Sequence, residues 1–182
     1  MSAKKMLGGI SAGFAALMLF AGVAAAQDAA AAPDQPKQTL NKEVGNWTVK
    51  CFEKDGVTRC NMIEVLVNKK TGLRVLAVSV QYEPAQKRSV IELGVPLHVA
   101  LQKGAVINTD TYTSGTLKYK ICDQQGCYLV LPADDSVIAS LGKATKASVE
   151  IVDFVSGKKV ALKIPLDGFS SAYQTVVEAS RG

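Results

Sequence analysis

The sequence has a single histidine, His98, and few aromatic residues, which make up 6% of the chain. As the sole imidazole, His98 would have to be the base of any Ser-His-Asp or Cys-His arrangement. No Gly-x-Ser-x-Gly motif accompanies it beyond the first 26 residues. A lone histidine lacks the partners that such catalysis requires, so we interpret His98 as a surface or strand-edge residue.

The sequence also lacks the short motifs that bind phosphates, calcium or dinucleotides. Its acidic pair Asp134-Asp135 opens a predicted helix, where negative charge interacts favourably with the helix dipole, and we interpret it as helix capping. We therefore predict a protein that is not an enzyme, with no catalytic residues, no metal ligands and no cofactor. Catalysis by carboxylates that are distant in the chain is the enzymatic alternative that the sequence leaves open.

A strong excess of positive charge is also missing. The formal net charge is +5, and subtracting Lys4 and Lys5 of the amino-terminal segment leaves +3. The other lysines are scattered, in pairs such as Lys69-Lys70 and Lys158-Lys159, without aromatic residues between them. This distribution argues against nucleic acid as a partner.

The amino terminus has the pattern of a cleavable signal peptide over residues 1–26. Lys4 and Lys5 precede an apolar run, and Ala24-Ala25-Ala26 provides the small residues that a signal peptidase requires. The most apolar stretch, residues 10–23, is shorter than the roughly 20 residues of a membrane-spanning helix. We predict cleavage near Ala26, no transmembrane segment afterwards, and a periplasmic or secreted, outer-surface location.

The remaining chain divides into a tether and one domain. Residues 27–43 are rich in Ala, Pro and Gln without periodicity, which predicts a flexible tether. Residues 44–182 have the length of one domain with its own core.

Most of this domain alternates apolar and polar residues with a period of two, which is typical of strands. The predicted strands are residues 47–52, 57–67, 73–82, 88–93, 97–101, 117–122, 127–131, 147–155 and 159–164. Many short strands joined by turn residues indicate an all-β sandwich or barrel.

Two segments have helical spacing instead. Residues 134–143 place Val137, Ile138 and Leu141 on one face, which predicts a short helix. A C-terminal amphipathic helix is predicted after Gly168, and its apolar stripe is expected to pack on the sheet rather than on a partner.

The four cysteines are predicted to form two structural disulfides, because an even number in an oxidising compartment favours pairing. Cys51 and Cys60 are equidistant from Asp55-Gly56, a dipeptide that favours a two-residue hairpin turn and would place them opposite each other. Cys122 and Cys127 likewise flank a short polar turn. Neither spacing is the Cys-x-x-Cys of redox motifs, and no histidine is near, which argues against a thiol redox pair or a zinc site.

In order along the chain, these motifs resemble the invasion-associated locus B family of exported bacterial proteins. The resemblance covers nearly all of the domain. It is carried by Trp47-Thr48-Val49-Lys50-Cys51 with Cys60, Gly94-Val95-Pro96-Leu97 leading to Lys103-Gly104, Cys122 with Gly126-Cys127, and Pro165-Leu166-Asp167-Gly168-Phe169 followed by Ala172. His98 departs from the small or apolar residues expected at its position.

The resemblance implies an immunoglobulin-like antiparallel β-sandwich, export, and an association with host-cell invasion in pathogens. It brings no catalytic residues. Our functional hypothesis is an envelope or surface protein that binds a protein or an envelope component through a strand edge or a loop tip. The alternative is a periplasmic carrier that holds a small ligand between its sheets.

Overall fold

The computed structural model describes residues 35–181, so the predicted signal peptide and most of the predicted tether lie outside the described residues. The ten strands are β1 (Lys37–Val44), β2 (Trp47–Lys54), β3 (Val57–Val67), β4 (Arg74–Glu83), β5 (Arg88–Val95), β6 (Ala105–Thr109), β7 (Tyr119–Asp123), β8 (Gly126–Ala133), β9 (Ala147–Val152) and β10 (Lys159–Lys163). The two α-helices are α1 (Asp135–Lys143) and α2 (Phe169–Arg181). No helix among these residues is long and apolar enough to cross a membrane.

The strands form two antiparallel sheets. The large sheet has seven strands in the order β1-β2-β3-β4-β5-β8-β7, and the small sheet has three in the order β10-β9-β6. One continuous core contains side chains from both sheets and from α2. The predicted fold class, an all-β sandwich with a short helix near residues 134–143 and a C-terminal helix, is confirmed.

Alternation along each strand explains which face is buried. Leu76, Val78 and Val80 of β4 are at most 2% exposed, whereas the residues between them are partly exposed. The C-terminal helix buries Phe169, Ala172 and Val176 against β2, β3 and β4, so its apolar stripe packs on the sheet as predicted.

Three expectations about elements are wrong. Residues 37–43 are not part of a tether: they belong to β1, which pairs antiparallel with β2. Residues 97–101 are not a strand, because Pro96 and a positive φ of 65° at His98 turn the chain away from the large sheet towards the small one. The predicted strand 147–155 ends at Val152, and a turn follows.

The first and last motifs of the domain meet in the core. The rings of Trp47 and Phe169 pack edge to face with centroids 5.3 Å apart, and both side chains are at most 2% exposed. The turns before them touch through backbone, since the Asn46 amide donates to the Asp167 carbonyl over 3.1 Å. A β-carbon added at Gly45 would lie 2.6 Å from that carbonyl oxygen, so close approach requires glycine there.

Candidate binding surface

The predicted hairpin around Asp55-Gly56 has the expected register, with Lys54 opposite Val57 and Cys51 opposite Cys60. Asp55 and Gly56 have φ values of 53° and 73°, as a two-residue turn of this kind requires. The sulfur atoms of Cys51 and Cys60 are 2.07 Å apart and the Cα atoms 4.1 Å. This disulfide is buried, so it joins β2 and β3 within the core.

The second disulfide lies at the edge of the large sheet. The sulfur atoms of Cys122 and Cys127 are 2.12 Å apart, and their Cα atoms are 4.0 Å apart. Between them, the Asp123 carboxylate accepts hydrogen bonds from the amides of Gln125 (2.7 Å) and Gly126 (3.1 Å). Cys127 is buried but Cys122 is exposed, so this bridge fastens an exposed edge strand to the core.

Arg74 joins two turns at the same end of the large sheet. Its guanidinium donates to the Gln125 carbonyl (2.6 Å) and to the Tyr128 hydroxyl (3.1 Å), and it lies 5.4 Å from the Tyr128 ring centroid. The start of β4 and the β7–β8 turn are therefore held together across β5. This end of the large sheet, which carries the Cys122–Cys127 disulfide, lies opposite the Asp55-Gly56 end.

His98 is exposed and lies in the loop that connects the two sheets. Its carbonyl accepts a hydrogen bond of 2.8 Å from the Phe154 amide. Among residues 35–181, no three His, Cys, Asp or Glu side chains lie close enough together to hold a metal ion. The hydrogen bond that the structure gives His98 is a backbone contact between two loops.

Three aspartates have a lowered pKa: Asp134 and Asp153 through bonds within their own cap or turn, and Asp110 through bonds to a distant loop. Asp134 caps α1 by accepting from the amides of Ser136 and Val137, each over 3.0 Å, as predicted for the acidic pair. Asp153 accepts from the Ser156 hydroxyl (2.6 Å) and amide (2.7 Å), which lowers its pKa. The carboxylates of Asp134 and Asp153 therefore hold a helix start and a turn within their own segments.

Asp110 gives the clearest pH dependence. Its carboxylate accepts hydrogen bonds from the Thr145 amide, the Thr145 hydroxyl (2.9 Å) and the Lys146 amide (3.1 Å). The Thr145 bonds, followed by those of Lys146, lower the pKa of Asp110 below its ordinary value of 3.8. The charged form therefore ties the loop after β6 to the start of β9.

We expect Asp110→Asn to lower stability at pH 7 and to reduce the loss of stability on acidification. A carboxyl group with a lowered pKa stabilises the fold above its unfolded-state pKa, near pH 4, and loses that contribution as the pH falls through the folded-state value. Urea unfolding at pH 7 and pH 3 would measure the difference, with Glu53→Gln, an exposed carboxylate on β2, as the control. An equal difference in wild type and Asp110→Asn would contradict this role.

Open clefts occur on the outside of the domain. One of 710 Å³ lies between the Asp55-Gly56 end and the end of α2, where the Arg181 guanidinium is 5.5 Å from the Tyr82 ring centroid. Another cleft, of 560 Å³, lies alongside β7. Between the two sheets, by contrast, the inward side chains of β4, β5, β8 and β9 are almost completely buried. The interior is packed with side chains where a carrier would need a pocket.

Large apolar side chains are exposed on two neighbouring loops. Phe154 is 71% exposed, Val155 is 81% exposed and Leu97 is 43% exposed. Their loops are joined by the hydrogen bond between the Phe154 amide and the His98 carbonyl, and Val99 forms a β-bridge with Asp153. We call Leu97, Phe154 and Val155 the apolar tip. Exposed apolar side chains that lie together on a protein surface are typical of an interaction site.

The sequence pattern does not reveal the apolar tip, because the apolar residues Phe154 and Val155 fall within the predicted strand 147–155. Asp153 followed by Ser156-Gly157 does indicate a turn, because an aspartate side chain can accept hydrogen bonds from residues that follow it. In the structure the Asp153 carboxylate accepts from the Ser156 amide and hydroxyl. The four cysteines, in contrast, are paired as predicted.

Comparison with known proteins agrees with this architecture. The family model for the invasion associated locus B (IalB) protein matches residues 47–177. Invasion protein B homologs of Brucella abortus strain 2308 and of Brucella abortus biovar 1 strain 9-941 are each 29% identical over 138 residues, which covers 76% of this chain and 79% of theirs.

A crystal structure of invasion associated protein b from Bartonella henselae has a similar fold, with a TM-score of 0.71 and 22% identity. The similarity covers 79% of this chain and 98% of the other. The region that the family model matches, residues 47–177, includes both disulfides and the Trp47–Phe169 contact. The chain therefore belongs to the invasion associated locus B family.

Proposed function

We propose that this chain is an exported, non-enzymatic binding module of the bacterial envelope or surface that engages a protein through the apolar tip. The observation that carries the proposal is the exposure of Phe154 and Val155 on a turn that is held rigidly by Asp153. Exposed aromatic and aliphatic side chains on fixed loops provide the anchors of protein interfaces at little entropic cost.

Export is supported by the signal-peptide pattern of residues 1–26 and by the two disulfides, which are usual in oxidising compartments. The relatives are named as invasion proteins. We therefore propose that in pathogenic relatives the same contact serves entry into host cells. The packed interior disfavours the alternative of a small-ligand carrier.

Photocrosslinking in intact cells tests the proposal. p-Benzoylphenylalanine at position 97 is expected to give one defined protein adduct, whereas the same probe at position 57 is expected to give none. Val57 is 53% exposed and begins β3 at the Asp55-Gly56 end of the large sheet. Because β3 and β5 run parallel and the apolar tip follows the end of β5, Val57 and the apolar tip lie at opposite ends of the sheet. Fractionation of periplasm, outer membrane and medium would locate the adduct.

The double substitution Phe154→Ser and Val155→Ser is expected to lower the adduct yield from position 97 at least about tenfold, since loss of an interface anchor costs about 2 kcal/mol or more. Val57→Ser is the control, as it removes an exposed apolar side chain at a distance from the apolar tip. The melting temperatures of both variants should stay close to that of the wild type. Unchanged adduct yield in a folded double variant would reject the apolar tip as the binding surface.

A further inference from the structure

A second surface, distinct from the apolar tip, lies along β7. This strand is the last of the large sheet, and within the described chain no other strand pairs with its outer side. Cys122 and Cys127 face each other with Cα atoms 4.0 Å apart, the short separation of a non-hydrogen-bonded antiparallel pair. The amide and carbonyl of Cys122 therefore point away from β8, where they are available to another strand.

A groove accompanies this edge. It has a volume of 560 Å³ and is formed by β7 and the 3-10 turn Leu101–Lys103. Leu101 is 52% exposed and Ile121 is 65% exposed, so each offers apolar surface beside the free backbone groups. The groove is also lined by Lys118 and Lys120, which are both exposed. We call the groove lined by Leu101, Ile121, Lys118 and Lys120 the edge groove.

The charge of the edge groove indicates what it can hold. Neither Lys118 nor Lys120 forms an ion pair within residues 35–181, and no acidic side chain lines the groove. The nearest carboxylate along the strand, that of Asp123, is engaged by two amides of its own turn. Two cations next to apolar side chains thus lack a counter-charge.

The same features disfavour a second copy of this chain as the occupant. Edge lysines and bulges are devices by which sheets avoid pairing with their own kind. β7 has both, since its register with β8 shifts between Tyr119 and Ile121, leaving Lys120 as the extra residue. Two copies would bring lysine against lysine, whereas an acidic strand would be attracted.

We propose that the edge groove binds a short extended segment of a partner protein in which acidic and apolar side chains alternate. The segment adds to β7 as a further strand through the outward backbone groups, while its carboxylates pair with Lys118 and Lys120 and its apolar side chains cover Leu101 and Ile121. The bulge limits the pairing to a few residues.

The probe for this proposal is a fluorescein-labelled heptapeptide that alternates Glu and Val, titrated with the mature protein while anisotropy is recorded. Saturable binding is expected, at least about tenfold tighter than that of the same peptide with Lys in place of Glu. N-methylation of alternate peptide amides is expected to abolish binding, because it removes the backbone donors. Absence of saturation, or equal binding of the N-methylated peptide, would overturn the proposal.

Substitutions on the two edge strands test where the peptide binds. Lys118→Glu with Lys120→Glu should weaken the peptide at least about tenfold, whereas Lys42→Glu on the opposite edge strand β1 should leave it unchanged. Chemical-shift changes in the wild type should concentrate at residues 119–123 rather than 37–44, a measurement that does not depend on any variant folding. The reverse pattern would assign the peptide to β1 and reject the edge groove. The double substitution at Phe154 and Val155 should not affect the peptide, which separates this proposal from that of the apolar tip.

Discussion

Trp47→Ala is expected to lower the free energy of unfolding by about 3–5 kcal/mol, the range found for deletion of large buried aromatic side chains. Trp47 is completely buried and packs edge to face on Phe169. Its removal leaves a cavity between β2 and α2 that neither element can fill, because both are held by their backbone hydrogen bonds. Domains are stable by only about 5–15 kcal/mol, so this variant should approach the limit of folding.

Urea unfolding of oxidised residues 27–182, followed by circular dichroism, which does not depend on tryptophan, would measure the effect. Phe52→Ala is the matched control, since it removes an aromatic ring from the same strand at a position that is 36% exposed. We expect a markedly smaller effect there. Equal losses for the two variants would mean that the Trp47–Phe169 contact does not hold the helix on the sheet.

Gly168→Ala and Gly45→Ala are each expected to destabilise the protein more than Gly157→Ala, although all three glycines have similar positive φ values of 79°, 59° and 66°. An alanine at positive φ costs about 1–2 kcal/mol by itself. At Gly157 nothing lies within 4 Å of an added β-carbon. At Gly168 and Gly45 the β-carbon would meet the backbone of the facing turn, which adds about 1–3 kcal/mol for overpacking.

The comparison among the three variants therefore separates the cost of the backbone conformation from the cost of the contact between turns. Thermal and urea unfolding provide the measurement. If Gly157→Ala were as destabilising as Gly168→Ala, positive φ alone would explain the glycines and the contact between the two turns would contribute nothing.

Local chemistry determined what could be predicted from the sequence. The Asp55-Gly56 turn sets the register of β2 and β3 by itself, and from that register follows the pairing of Cys51 with Cys60. The carboxyl group of Asp134 likewise begins α1 through bonds within four residues. Such features depend on neighbours in the chain, which the sequence displays.

Elements that depend on distant partners were missed. β1 has mainly exposed side chains and is ordered by backbone bonds to β2, so its residues carry no apolar alternation. The short strand β6 lies between Gly104 and a turn, and its place beside β9 results from the crossing of the chain between sheets. The edge groove arises where β7 and the Leu101–Lys103 turn meet, and neither segment predicts the other.

Both disulfides join cysteines that are consecutive in the chain, with separations of nine and five residues. A polypeptide that enters an oxidising compartment amino end first therefore presents each cysteine together with its correct partner before the next pair emerges. Oxidation in order of appearance gives the native connectivity, out of three that four cysteines allow. If the chain is exported as proposed, it should therefore mature with a thiol oxidase alone, without an isomerase to correct its bonds.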